Sequence, residues 1–136
     1  MNTHTTPTKK LDTRVLLSTL WIVVMFNMLK ADILSLFIPG AAEEAAKTAA
    51  QIGVTVPQLM LGAAVMGELA IAMIILSRVL RRGINRRANI ALGIVAMAYI
   101  WGGAAAYPHY IVIAMVETIC LALIVVLAWR WRSVEA

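Results

Sequence analysis

Cysteine, histidine and acidic residues are scarce in this chain: one, two and seven among 136 residues. A lone thiol, Cys120, can form neither an internal disulfide nor a redox pair, and such a residue usually serves as a small hydrophobe. Thiol-based oxidoreduction is therefore not expected. His4 lies in the N-terminal tail and His109 in a Tyr-Pro-His turn, where it reads as a surface residue, so haem ligation is not expected either. No HExxH spacing, phosphate loop or dinucleotide fingerprint occurs. Ser18 and Ser35 have no base partner in view. Charge is sparse as well: Asp, Glu, Lys and Arg make up 14% of the chain, against about 25% in soluble domains.

Apolar residues fill the space left by these absences. The chain is 62% hydrophobic, with a mean hydropathy of +0.85. Four runs, Val15–Ile38, Gln58–Leu80, Ala88–Ala106 and Tyr110–Trp129, each approach the ~20 residues needed to cross a bilayer. They use nearly all of the chain and leave no room for a soluble catalytic domain. The expected fold is all-α: a polytopic membrane four-helix bundle at 14–132 with a short extra helix in the first periplasmic loop, and cytoplasmic tails at 1–13 and 133–136.

The basic residues assign the sides. Lys9, Lys10 and Arg14 precede the first run. Arg78, Arg81, Arg82, Arg86 and Arg87 flank the link between the second and third runs, and Arg130 and Arg132 follow the fourth. Only Lys30 and Lys47 lie elsewhere. The excess of Lys and Arg on the cytoplasmic side then puts both termini and the 81–87 link in the cytoplasm of an inner membrane. The net charge of +5 follows this topology, so nucleic acid is not an expected partner. The first run is longer than a signal-peptide core and reads as an uncleaved anchor. Trp129 and Trp131 suit the inner interface, and Trp101, Tyr107 and Tyr110 the outer one. For Arg78–Arg87, contact with anionic lipid headgroups is a second role beside topology.

Local signals divide the connections. Pro39-Gly40 ends the first run. Ala41–Ile52 reads as a short surface helix, with Glu43 and Glu44 at its start, a Glu43–Lys47 pair and Gly53 as its cap. It reads first as a solvated connector and second as a lid. Pro57 suits the first turn of the second run. Ala63 and Gly67, and Ala98, Gly102 and Ala106, repeat at four-residue spacing, which lets helices approach closely in lipid. Gly102-Gly103 loosens the outer end of the third run.

Glu68 and Glu117 interrupt otherwise apolar runs. An acid at that depth belongs in a bundle interior or a wet cavity. At ~1.5 Å per residue, Asn27 sits roughly 18 Å above the inner end of its run, Glu68 about 15 Å and Glu117 about 10 Å below the outer surface. Asp32, Lys30 and His109 lie nearer the outside. The polar groups thus collect in the outer half, and the inner half reads as plain hydrocarbon-facing structure. At 100° per residue Lys30 and Asp32 point about 160° apart. Asp32 is expected inward and Lys30 outward, because its long stem reaches water. Ala64 and Ala72 share a face with Glu68, and Ala114 with Glu117, which leaves space beside each carboxyl.

Three carboxyls in one low-dielectric site cannot all ionise cheaply. Glu68 or Glu117 is expected to hold a proton at neutral pH, or the two to share a proton or a cation. The competing reading makes them neutral hydrogen-bond donors that hold helices together. A metal site from Asp32, Glu68, His109 and Glu117 lacks any ligand-spacing motif, so no metal and no cofactor are expected.

The segments STLWIVVMFNMLKADILSL (18–36), ELAIAMIILSRVL (68–80), NRRANI (85–90) and YIVIAMVETICLALIVVLAWRW (110–131) resemble a bacterial family of small four-helix membrane proteins of unknown function. The resemblance covers roughly residues 14–132. It implies a four-helix inner-membrane fold and matches at Asn27, Asp32, Glu68, Asn85, Asn89, Tyr110 and Glu117. It departs at Lys30, where an aromatic residue is expected. It supports Asp32, Glu68 and Glu117 as members of one site and supplies no activity. More distantly, the layout is similar to DoxX-like four-helix proteins.

The expected function is binding or transport of a small apolar or cationic molecule in a periplasm-facing acidic pocket. Protons would exchange at Glu68 and Glu117. Asp32 would gate or recruit, Asn27 would hydrogen-bond, and Tyr110 would donate from the mouth. Two rivals remain: a non-catalytic accessory subunit of a larger membrane complex, and a membrane-embedded enzyme using the same acids. The expected partners are membrane lipids, a small-molecule ligand and either further copies of the chain or a larger membrane complex; the small-residue faces read first as packing within one bundle rather than as a dimer face.

Overall fold

A computed structural model describes residues 11–103 and 107–132. Among them are five helices and no strand: α1 (Thr13–Ser35), α2 (Ala41–Gln51), α3 (Val56–Val79), α4 (Arg82–Gly102) and α5 (Pro108–Arg130). Of these, α1, α3 and α5 are long and apolar enough to cross a membrane. The 21-residue α4 falls outside that set, because three arginines and the Asn85/Asn89 pair occupy its first two turns. It also begins at Arg82 rather than at residue 88 and ends at Gly102. Of the terminal tails, residues 1–10 and 133–136 lie outside the described residues, as do 104–106, the expected end of the third run.

Capping explains the boundaries. The Asp12 carboxylate accepts from the Arg14 N–H at 3.0 Å and starts α1. Thr55 and Gln58 form a capping box before α3, with Pro57 in its first turn. α2 is bracketed by two glycines in left-handed conformation, Gly40 (φ 81°) and Gly53 (φ 73°). At its end the Gly53 N–H donates to Ala50 O (3.2 Å) and the Val54 N–H to Ala49 O (2.9 Å), a Schellman motif that needs a residue tolerant of positive φ. Lys47 pairs with Glu44 at 3.1 Å, not with Glu43. Both partners are exposed, so the pair contributes little.

α1 lies at the centre of the packing. It runs along α3 on one side and α5 on the other, α5 also packs on α4, and α2 touches α3. The core combines Leu17, Trp21 and Val24 of α1, Ala70 and Met73 of α3, Ala96 and Ile100 of α4, and Ala114, Cys120, Leu121 and Ile124 of α5. Much of the remaining apolar surface faces outward, including Phe26, Leu61, Val65, Ile75, Val112, Ile119 and Val126. α3 buries only Ala70, Met73 and Ser77. Such a surface suits lipid as its solvent.

The small residues act differently from expectation. A Cβ added at Gly67 or Gly102 would meet nothing within 4 Å. Close approach occurs instead at Gly93, where a Cβ would come 2.9 Å from Val125 Cγ2 and 3.9 Å from Leu121 O. Gly93 is therefore the point at which α4 seats on α5.

The basic half of the molecule is not plain hydrocarbon-facing structure. Ser18, Ser77, Asn85 and Asn89 are fully buried there. Asn89 Oδ1 accepts from Trp21 Nε1 (2.7 Å) and Ser77 Oγ (3.3 Å). Asn89 Nδ2 donates to Asn85 O (2.9 Å) and Asn85 Oδ1 (2.6 Å). Asn85 Nδ2 donates to Ser77 O at 2.6 Å. Nearby, Ser18 Oγ donates to Ile74 O (2.8 Å) and accepts from Arg78 Nε (3.0 Å). Polar side chains buried away from water find one another, and here they fasten α1, α3 and α4 together.

Truncating Asn89 to Ala orphans the Trp21 indole and both Asn85 amide contacts. A loss of about 2 kcal/mol in unfolding free energy is expected, against about 1 kcal/mol for Trp21→Phe, read by reversible unfolding in detergent. Gly93→Ala is expected to cost about 1–3 kcal/mol by overpacking. Adding Val125→Ala, which removes the clashing methyl, should recover part of that loss in the same assay.

Candidate functional site

A cavity of about 1060 Å³ opens at the end opposite the arginines. It is lined by the second half of α1, one face of α2, the first half of α3, the end of α4 and the start of α5. Its position follows from the packing. α3 and α4 are joined by a two-residue link and hydrogen-bonded at their linked ends through Ser77, Asn85 and Asn89. They share little contact beyond that.

Asp32, Glu68, Tyr110 and Glu117 all line this cavity. Their environments differ. Glu117 is 3% exposed, and its Oε1 has no hydrogen-bond partner among the described residues. Asp32 and Glu68 are exposed. Lys30 is exposed and does not line the cavity, so the acid on its helix faces in and the base faces out.

Asn27 is buried, but its Nδ2 donates to Val23 O at 3.0 Å within its own helix, and it does not line the cavity. An asparagine inside a helix can satisfy itself on the preceding turn. The Tyr110 hydroxyl donates to Ile100 O at 3.3 Å, which ties α5 to α4 at the cavity wall. His109 is not a surface turn residue: it sits in the first turn of α5, half-buried, with its ring stacked on Tyr107 at 5.9 Å.

Several lining residues had no expected role. Tyr99 and Tyr107 add aromatic faces, and Met25, Met28 and Met60 add pliable apolar contact. α2 supplies Ala41, Glu44, Ala45 and Thr48 with Ile52 just beyond, so one face of it forms part of the cavity wall, while most of its residues stay exposed. That face was marked in the sequence by i, i+3, i+4, i+7, i+11 spacing. Four acids, Asp32, Glu44, Glu68 and Glu117, thus line a cavity whose wall, among the described residues, holds no lysine or arginine. Among the described residues, no three His, Cys, Asp or Glu side chains come together as a metal site.

An all-helical protein with membrane-length apolar helices and a large acidic cavity at one end is the class that these observations define. The chain belongs to a family of unknown function (DUF6326), whose model matches residues 8–136. No curated protein and no solved structure matches the chain, and nothing supports the likeness to DoxX-like proteins.

A buried carboxyl with an unused oxygen subtracts from stability. Glu117→Leu is therefore expected to leave the unfolding free energy of the empty protein unchanged or raise it by about 1 kcal/mol. A loss of several kcal/mol in detergent unfolding would make Glu117 a structural tether instead.

Proposed function

We propose that this protein is an integral inner-membrane four-helix bundle, with α4 as the fourth span, that binds or moves a small lipophilic cation through a periplasm-facing cavity. The observation that carries this reading is the Glu117 carboxyl, buried against a cavity wall with one oxygen unpartnered. A group so placed needs an occupant, a proton or a cation, to offset its desolvation. Asp32 and Glu68 are exposed on the same wall and would draw a cation in before it reaches Glu117. Tyr99, Tyr107 and Tyr110 would meet its apolar body and, through their ring faces, its charge.

Proton exchange follows from charge balance. In the empty protein a proton on Glu117 neutralises the buried site. An arriving cation replaces it, and the proton leaves through the open mouth past Asp32 and Glu68. The arginines at the 78–87 and 130–132 positions favour the cytoplasm for that end, so the cavity would open to the periplasm.

The test uses tetraphenylphosphonium as the cation and an uncharged tetraphenyl compound of similar size as its control. The cation should raise the melting temperature of the detergent-solubilised protein, and the neutral control should not. Glu117→Gln should abolish the shift, while Asp32→Asn and Glu68→Gln should weaken binding several-fold. In lightly buffered solution each bound cation should release about one proton from the wild type, by the exchange of one charge for another, and none from Glu117→Gln. Equal responses to the cation and the neutral control would overturn the proposal.

A further inference from the structure

The arginine-rich end carries a second feature, separate from the acidic cavity. A groove of about 320 Å³ lies between the start of α4 and the end of α5, lined by Gly83, Arg86, Arg87, Ile90 and Trp129. Its walls are held in place. The Arg86 guanidinium sits 5.6 Å from the centre of the Trp129 ring, a cation–π distance. Arg82 Nη2 donates to Trp131 O at 3.2 Å and ties the two helix ends together.

The charge here is uncompensated. α4 opens with no acid in its first turn, and its N-cap, Arg81, makes no side-chain capping bond. The positive end of the helix dipole therefore adds to the arginines instead of being offset. Lys47–Glu44, at the other end of the molecule, is the ion pair found among the described residues. At Gly83 a Cβ would meet nothing within 4 Å, so the first turn of α4 is open to an approaching group.

We propose that this groove binds the phosphate of an anionic lipid headgroup. Two adjacent guanidinium groups match phosphate oxygens bidentately, and the positive end of the α4 dipole lies at the same end of the helix. The same phosphate chemistry in soluble form would meet the same donors. A lipid fits better because the groove continues into apolar surface: Ile90 forms part of its lining, and the Trp129 ring, a side-chain type that favours the headgroup–acyl boundary, is 65% exposed.

The experiment follows thermal unfolding of the full-length protein in mild detergent with three additives: short-chain phosphatidylglycerol, phosphatidylcholine of equal chain length, and inorganic phosphate. Phosphatidylglycerol should raise the melting temperature by several degrees, and the other two should not. Arg86→Gln/Arg87→Gln should lose the shift. Arg130→Gln/Arg132→Gln, which removes the same charge outside the groove, should keep it. If the first double variant fails to fold, Gly83→Glu, which puts a carboxylate into the open space, replaces it and should also lose the shift. The proposal is overturned if phosphatidylcholine matches phosphatidylglycerol, if the shift survives the groove variants, or if the two double variants lose it equally. An equal response to inorganic phosphate would overturn the lipid and assign the groove to a soluble anion.

Discussion

The Asn89 carboxamide is the interaction on which the rest of the molecule depends. Its oxygen accepts from the Trp21 indole and the Ser77 hydroxyl, and its nitrogen donates twice to Asn85. Both lone pairs and both N–H groups are used, which is the full capacity of an amide side chain. Away from water, partly satisfied groups of this kind would be costly, and fully satisfied ones specify a single arrangement. The network joins α1, α3 and α4 at one level, and Gly93 brings α4 onto α5 one turn further along. With that end closed, the far ends of α3 and α4 are free to stand apart, and the cavity lies between them.

The two ends treat their buried polar side chains differently, although Arg82 Nε at the arginine end also has no partner among the described residues. At the arginine end every buried asparagine and serine of the network has partners. At the cavity end Glu117 is as deeply buried but keeps an unused oxygen. The first pattern favours a unique fold. The second is what a site for an exchangeable occupant requires, because a carboxyl already fully hydrogen-bonded would have no reason to take one up. The satisfied network and the unpartnered carboxyl thus lie at different levels of the molecule rather than in one core.

Helix positions were legible because the signals are local. The apolar runs, Pro57 and Gly53 mark ends that the structure places within a few residues, except at α4, which starts six residues before the expected position. Depth and residue type also singled out Asp32, Glu68 and Glu117, and the family resemblance Tyr110; all four line the cavity. Asn27 does not line it, because one backbone carbonyl in its own helix can absorb its amide. The buried network was not legible. Ser18 reads only as a nucleophile without a base, and Asn85 and Asn89 only as positions matching the family resemblance; the meeting of these residues with Ser77 depends on how three helices cross. The small residues misled for the same reason: four-residue spacing shows where close approach is allowed, while the neighbours decide whether Gly67 or Gly93 is where it happens. α2 looked like a connector because its alanines are small, and its inward face matters only once something lies beneath it.

α2 lines the cavity from between two left-handed glycines, and among the described residues it makes no hydrogen bond to the network at the other end. Its side chains can be exchanged without touching the joint that keeps the helices in register. The molecule is in this sense a fixed frame with a replaceable wall, in which eleven positions can vary while the joint stays as it is.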